Sequence, residues 1–333
     1  MRVAVLPGDG IGPEVMGACM RVLGELDTGL NFESGEVGLE CYKKHGEYMP
    51  QETLDLVRGA DAILFGAITT PKDTTKYVSP LLLMRWTLDL YANVRPAKCL
   101  RPSICVKPVD VVVVRENTEG MYTRLERVED DRVVLERVVS EKACKRIIEY
   151  AFNYAAANGR KKVTCVHKAN VLKASDGLFR NIFYGIAVNY AFYNHIRSDD
   201  MHVDACAMHM VKNPEKLDVI VTLNLYGDIL SDEAAGMIGG LGFAPSMNLG
   251  EKHALFEPVH GSAPDLAGQG IANPAGMILS AALMLGHLGM REKQKTVEEA
   301  VVKALEKGAL TPDAGGTTKT MEFAEAVVKA LDE

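Results

Sequence analysis

A chain of 333 residues with 47% hydrophobic and 24% charged residues can bury a large core and is long enough for two lobes. Its net charge of −7, with no basic block, argues against nucleic acid as the main partner and leaves a small metabolite, held in a local basic pocket, as the expected ligand. The seven cysteines are odd in number and include no Cys-x-x-Cys pair, which fits buried thiols in a reducing cytoplasm better than a disulfide frame or a zinc site. Met1 runs directly into an apolar strand, so no signal peptide is expected and a cytoplasmic location is. Residues 3–6, the turn Pro7-Gly-Asp-Gly-Ile-Gly-Pro-Glu14 and the apolar-periodic stretch after it read as strand, glycine-rich turn and helix, the opening of an α/β layer. Gly8, Gly10 and Gly12 alternate and Pro13 takes the place of a third fingerprint glycine. The Rossmann dinucleotide motif is therefore rejected, although the turn and helix start can still line a ligand pocket.

A helical pattern at 52–58 and a buried strand at 62–65 continue the α/β rhythm, followed by a polar loop from Gly66 to Tyr77. Ser79 and Pro80 look like a helix start. That places Arg85 on the helix and Arg95 at the far end of a short strand, while a buried strand at 109–114 delivers Arg115. Three arginines beside turns and strand ends could converge as bidentate clamps for carboxylates. From spacing alone, three surface ion-pair partners is the stronger reading.

Residues 122–140 alternate apolar and charged side chains around Glu129-Asp-Asp131, the pattern of a two-stranded hairpin. A lone hairpin is marginal in water, so this one reads as an arm completed by another subunit. A long amphipathic helix spans 141–158 and a strand spans 162–166, with Lys168 in the turn after it. Desolvation and neighbouring cations can lower a lysine from about 10.4 and make it a usable proton carrier; more often such a lysine is simply exposed. Asp204 follows a strand-like piece at 201–203. The apolar run 219–223 reads as a buried strand up to Asn224, with a turn at Gly227 and a helix beginning near Asp228. Asp228 and Asp232 then project from one helix face and repel by roughly 0.2–0.5 kcal/mol. Either a hard divalent cation sits between them, or they are acids decorating a helix start. The helices near Asp204 and Asp228 carry small apolar faces (Ala205, Ala207, Ala234, Ala235, Ile238) that suit packing across a two-fold axis. The turn-rich loop 256–274, anchored by Val259, Leu266 and Ile271, is long enough to be functional. The apolar segment 275–290 reads as a core helix, not a membrane span, and amphipathic helices at 297–307 and 320–331 close the chain.

Four segments together resemble one family: Pro7-Gly-Asp-Gly-Ile-Gly-Pro-Glu14, Asp89-Leu-Tyr-Ala-Asn-Val-Arg-Pro96, Asn224-Leu-Tyr-Gly-Asp-Ile-Leu-Ser-Asp232 and Glu257-Pro-Val-His-Gly-Ser-Ala-Pro-Asp265. The family is that of the β-decarboxylating dehydrogenases, which act on isocitrate, homoisocitrate, 3-isopropylmalate, D-malate and tartrate. The resemblance implies an α/β, isopropylmalate dehydrogenase-like two-domain fold, not a Rossmann fold. A large domain of 1–98 plus 241–333 would carry both termini and the cofactor side. A small domain of 99–240 would carry dimerisation, metal and acid–base residues, with the arm at about 120–140 clasping a homodimer whose active sites are shared. Carried over by motif, Arg85, Arg95 and Arg115 would hold substrate carboxylates. Asp228 and Asp232 would bind Mg²⁺ or Mn²⁺ with Asp204 of the partner subunit. Tyr122 would form the acid–base couple with Lys168 of the partner subunit, and Asn170 would border the nicotinamide. NAD is the implied cofactor, with Glu257, His260, Gly261, Asp265 and Asn273 on its side of the site. Asp265 falls where a carboxylate accepts hydrogen bonds from a ribose 2′-hydroxyl and repels a 2′-phosphate.

The specificity segment is 77–83. Leu81 and Leu82 offer an apolar face for an isopropyl group, whereas Ser79 stands where isocitrate-type members place a serine against a distal carboxylate. Together with the 66–72 loop and Gly38-Leu-Glu-Cys41, these residues most resemble archaeal homoisocitrate dehydrogenases, with 3-isopropylmalate the alternative substrate. Two other classes compete. A non-catalytic regulatory paralogue would have lost members of the arginine, aspartate or tyrosine–lysine sets, all of which are present here. A phosphotransferase would need a Gly-x-x-x-x-Gly-Lys loop, which is absent.

Overall fold

The structure is a computed structural model that describes residues 1–71 and 77–333, so the polar loop expected between Gly66 and Tyr77 lies partly outside the described residues. The chain forms two compact units, one of residues 1–90, 99–106 and 238–333 and the other of residues 91–98 and 107–237. It enters the first unit through β1 (Arg2–Gly8), α1 (Gly12–Leu23), β2 (Asn31–Ser34), α2 (Leu39–His45), α3 (Gln51–Gly59), β3 (Ala62–Ala67) and α4 (Pro80–Thr87). The second unit holds β4 (Ala92–Lys98), β5 (Asp110–Glu116), β6 (Glu126–Val128), β7 (Val133–Leu135), α5 (Glu141–Ala157), β8 (Lys162–His167), α6 (Ser175–Asn194), β9 (Arg197–His202), α7 (Val203–Lys212), β10 (Val219–Thr222) and α8 (Asn224–Met237). The first unit is completed by β11 (Pro245–Leu249), β12 (Ala254–Pro258), α9 (Ala275–His287), α10 (Arg291–Glu306) and α11 (Thr320–Leu331).

In the first unit the strand order is β2-β1-β3-β12-β11, parallel except for the antiparallel β11–β12 pair. Its core gathers Leu6, Ile63, Phe65, Met84, Leu90 and Leu255, with Leu81 packed against the cluster. Helix α9 is apolar almost all round and buried along nearly its whole length, as a core helix should be. Among the described residues no helix is long and apolar enough to cross a membrane.

The second unit orders its strands β4-β5-β10-β8-β9, with β4–β5 antiparallel and the others parallel. The run Val111 to Val114 on β5 is fully buried, the signature of a strand covered on both faces. Strands β6 and β7 pair only with each other, and Val128 and Val133 on them are exposed. The hairpin expected at 122–140 is present. Helix α5 starts as its sequence requires: the Ser140 hydroxyl accepts from Ala143 N at 3.2 Å, and Glu119 in turn accepts from Ser140 N at 2.8 Å.

Two expectations are corrected. Helix α8 begins at Asn224, not near Asp228, and Gly227 lies inside it. A Cβ at Gly227 would come within 2.6 Å of Arg115 Cβ and Cγ, so the glycine marks a close approach of strand and helix and not a turn. Cys99 and Cys105 are joined in a disulfide, with Cα atoms 5.9 Å apart. The turn after β4 brings them into bonding range at a spacing unlike the Cys-x-x-Cys pattern. Cys19, Cys41, Cys144, Cys165 and Cys206 are free and buried, as fillers should be. Helix α6 was not anticipated. It buries Phe179, Phe183 and Ala187 on one face and exposes Val188, Phe192 and Tyr193 on others, which erases the apolar periodicity.

Candidate active site

In the second unit, five of the expected site residues converge. Arg115, the penultimate residue of β5, is only 1% exposed, because the missing Cβ of Gly227 admits its stem. Asn224, the first residue of α8, accepts from Arg115 Nε at 3.0 Å and from Nη2 at 2.7 Å. Arg115 Nη1 donates to Asp228. Arg95, on β4, donates to Ser231 Oγ at 2.8 Å and to Asp232 at 3.1 Å, and lies 3.6 Å from Asp228. Tyr122, on a 3-10 turn over Met121–Thr123, donates its hydroxyl to Asp228 beneath the Arg115 guanidinium, 4.9 Å from the ring centre. The i, i+4 carboxylates of α8 thus hold two arginines and a phenol.

The electrostatics follow. Burial pushes the Tyr122 phenol above its ordinary value; Asp228 adds to the rise and Arg115 opposes it. The hydroxyl is the donor in its hydrogen bond to Asp228. Partial burial also pushes the Asp232 carboxyl up, with Arg95 pulling against it and the charge of Asp228 adding to it. Two guanidinium groups suit a ligand with two carboxylates, and two carboxylates on one helix face suit a hard cation.

Lys168 and Asp204 lie elsewhere in this unit. Lys168 follows β8 and its ammonium donates to Asp204 at the start of α7, which draws the Asp204 carboxyl below its ordinary value. Asn170 is exposed in the same turn. Asp176, fully buried, fixes this turn: it accepts from Lys168 N at 2.7 Å and from Arg137 Nη1 at 2.5 Å. Within one chain, then, Tyr122 and Lys168 address different aspartates. Among the described residues Asp204 does not join Asp228 and Asp232 in a three-ligand group.

The remaining expected residues lie in the first unit. Ser79 precedes α4, whose first residue is Pro80. Leu82 is half-buried, as is Leu81 against the core. Arg85 is buried and donates to Glu257 at 3.1 Å, and Glu257 also accepts from Asn248 at 2.7 Å. His260 Nδ1 contacts Gly261 O at 2.9 Å, while its Nε2 is buried without a hydrogen-bond partner; burial lowers its imidazole below the ordinary value. Asp265 is exposed on a short turn, Pro264–Leu266. Asn273 is committed at both ends of its amide, accepting from Ala275 N at 3.0 Å and donating to Asp313 at 3.0 Å.

Two acids escaped the sequence reading. Asp9, in the glycine-rich turn, accepts from Leu39 N, Glu40 N and Thr69 N at 2.8–2.9 Å. Glu14 accepts from Gly270 N and Ala272 N at 3.3 and 3.0 Å and so holds the 256–274 loop. Gly10 has φ +60°, and a Cβ there would meet Ser262 O at 1.9 Å, so the turn lies directly on that loop. The alternating glycines were the available signal; the distant backbone that Gly10 and Glu14 meet, around residues 262–272, was not.

Arginines paired with aspartates beside a protonated phenol make a set of groups able to hold a polycarboxylate and a hard cation. Comparison with known proteins agrees with that class. The family model described as isocitrate/isopropylmalate dehydrogenase matches residues 2–327. The chain is 48% identical to the homoisocitrate dehydrogenase of Methanocaldococcus jannaschii, over 99% of this chain and 98% of that protein. It is 47% identical to the 3-isopropylmalate dehydrogenase of Methanothermobacter thermautotrophicus, over 100% of this chain and 99% of that one. The crystal structure of isocitrate dehydrogenase from Methylococcus capsulatus matches with a TM-score of 0.94 at 42% identity, covering 100% of this chain and 99% of that one. The chain belongs to the isocitrate/isopropylmalate dehydrogenase family and is a β-decarboxylating dehydrogenase.

Proposed function

We propose that this enzyme oxidatively decarboxylates a 3-substituted (R)-malate with NAD and Mg²⁺ or Mn²⁺, and that the substrate is homoisocitrate or isocitrate. The observation that carries the reading is the grouping of Arg95, Arg115 and Tyr122 around Asp228 and Asp232. Relatives with both substrate names match at 47–48% identity, so the choice rests on the 77–83 segment. Leu81 packs on the core, which removes part of the apolar face an isopropyl group would need and leaves the polar Ser79 at the helix start. The second reading, 3-isopropylmalate, is favoured by Leu82.

The donor sets fit the proposed cofactors. Asp228 and Asp232 supply hard carboxylate oxygens, with Asp204 of the partner subunit as third ligand. For NAD, the buried, unpartnered His260 Nε2 and the exposed Asp265 fit the adenosine end. When bound, the divalent ion polarises the substrate oxygen and the nicotinamide accepts the hydride. Lys168 of the partner subunit takes the hydroxyl proton as the alcohol becomes a ketone. Arg95 and Arg115 grip the carboxylates, and CO₂ leaves with its bonding electrons retained on the substrate as an enolate. The Tyr122 phenol returns a proton to the carbon that lost CO₂.

A homodimer with shared sites belongs to this reading. It is supported by the separation of Asp204 from Asp228 and Asp232 within one chain, by the two-stranded hairpin with its exposed valines, and by the exposed Met208, Val211 and Ile229 on α7 and α8. The test is a panel of homoisocitrate, isocitrate, 3-isopropylmalate and D-malate, each assayed with NAD and with NADP in the presence of Mg²⁺. The reading expects the highest kcat/KM for homoisocitrate or isocitrate with NAD. Highest efficiency with 3-isopropylmalate establishes the second reading, preference for NADP removes the role given to Asp265, and no turnover on any of the four refutes the catalytic assignment.

A further inference from the structure

We propose that Glu36, Cys41 and His45 form a second metal site, which takes one zinc-like divalent ion and shares no residue with the substrate, nicotinamide or catalytic-cation sets. Among the described residues these three are the one group of histidine, cysteine and carboxylate side chains whose ligand atoms all lie within 4.8 Å of one another. Cys41 and His45 are four residues apart on α2, so both leave the same helix face. Glu36 reaches them from the segment before the helix. Cys41 is 4% exposed, whereas Glu36 and His45 are exposed, so the thiol forms the floor of the site and the other two its rim.

A metal ion would replace one hydrogen bond of Glu36 and spare another. Glu36 Oε1 accepts from Lys44 at 2.5 Å, while Oε2 faces His45 Nε2. A cation placed between Oε2, Nε2 and Cys41 Sγ takes over the Oε2–Nε2 contact and leaves the Lys44 pair intact. A cavity of about 650 Å³ lined by Glu36, His45, Glu47 and Glu52 opens beside it, and its three carboxylates favour cation entry. Asp9 pins the first turn of α2 through Leu39 N and Glu40 N. The thiol is therefore fixed, and only the two exposed side chains must rotate to bring donors to about 2.0–2.3 Å from the metal. One thiolate, one imidazole and one carboxylate, with water as fourth ligand, is a tetrahedral zinc-type set; Mg²⁺ and Ca²⁺ take oxygen ligands and do not compete well. Binding displaces the thiol proton and ties the C-terminal end of α2 to residue 36. That end carries the Tyr42–Tyr48 stack (4.3 Å between centres), and Tyr48 meets the edge of Tyr77 at 4.7 Å.

The test is a Co²⁺ titration of the full-length protein with its Cys99–Cys105 bridge intact and Mg²⁺ present in excess to occupy carboxylate-only sites. A thiolate-to-cobalt charge-transfer band saturating at about one Co²⁺ per chain and bleached by Zn²⁺ is expected. The band should vanish in Cys41→Ser. The exposed changes Glu36→Gln and His45→Gln should each weaken Co²⁺ binding at least about tenfold, and these two decide the matter if Cys41→Ser fails to fold. Absence of the band, its survival in folded Cys41→Ser, or unchanged affinity in both surface variants overturns the proposal. None of these readouts depends on turnover, so they stand apart from the test of the catalytic reading.

Discussion

Gly227 shows how one missing side chain can set the geometry of an arginine–aspartate cluster. The Arg115 stem fills the space a Cβ would occupy, at 2.6 Å from both Arg115 Cβ and Cγ. These are atoms close to the β5 backbone, so they cannot swing away as the tip of a flexible side chain would. Gly227→Ala should therefore destabilise the protein by about 1–3 kcal/mol through overpacking, read as a lower urea midpoint. It should also raise KM, because the guanidinium is pushed off Asn224 and Asp228. A variant with wild-type midpoint and KM would show that the strand and helix have slack between them. The same scale explains Tyr122: burial pushes its phenol up, and the hydrogen bond it donates to Asp228 fixes where the hydroxyl points.

At the scale of an element, a buried ion pair helps to hold the turn after β8. Asp176, in the first turn of α6, bonds Arg137 and the backbone of Lys168, and its side chain is 0% exposed. Removing one partner of such a pair leaves a buried charge uncompensated. Asp176→Ala should accordingly lose about 3–5 kcal/mol in guanidinium unfolding, far more than truncation of a surface acid. A loss below 1 kcal/mol, the range of exposed pairs, would mean that water reaches Arg137 and that the Lys168 turn is supported by other contacts.

For the whole molecule, the buried histidines should make the fold weaken in mild acid. Burial holds the imidazoles of His260 and His287 below the ordinary value of 6.5. The unfolded chain therefore takes up these protons first as pH falls, and stability declines from about pH 6.5 downward. The urea midpoint should drop between about pH 7 and 5, and His287→Gln should flatten the slope; a midpoint that holds or rises on acidification contradicts this. The proposed shared site has its own test at this scale. Co-expression of Asp228→Asn and Lys168→Ala chains should restore about half of wild-type turnover per mixed pair, because a two-fold dimer of the two contains one wholly intact pocket. Mixed pairs verified as such but inactive would place Lys168 and Asp228 of the same chain in one site.

The buried runs on β3, β5 and β10, the core helix α9 and the hairpin follow from apolar patterning, which is a local property of the chain. So does the i, i+4 placement of Asp228 and Asp232. The motif segments carried the family, because their residues are contiguous. Other features came only from folding. Spacing made Arg95 and Arg115 look like surface cations, yet β4 and β5 bring both to α8. Gly227 looked like a turn because a glycine required by a neighbouring side chain has the same sequence signature as one required by its own backbone. The Cys99–Cys105 bond, the buried Arg137–Asp176 pair, the anchoring of α2 by Asp9 and the Glu36–Cys41–His45 cluster depend on which distant or turned segments meet. Periodicity reports which face of an element seeks the core; the partner found there is fixed only when the chain closes on itself.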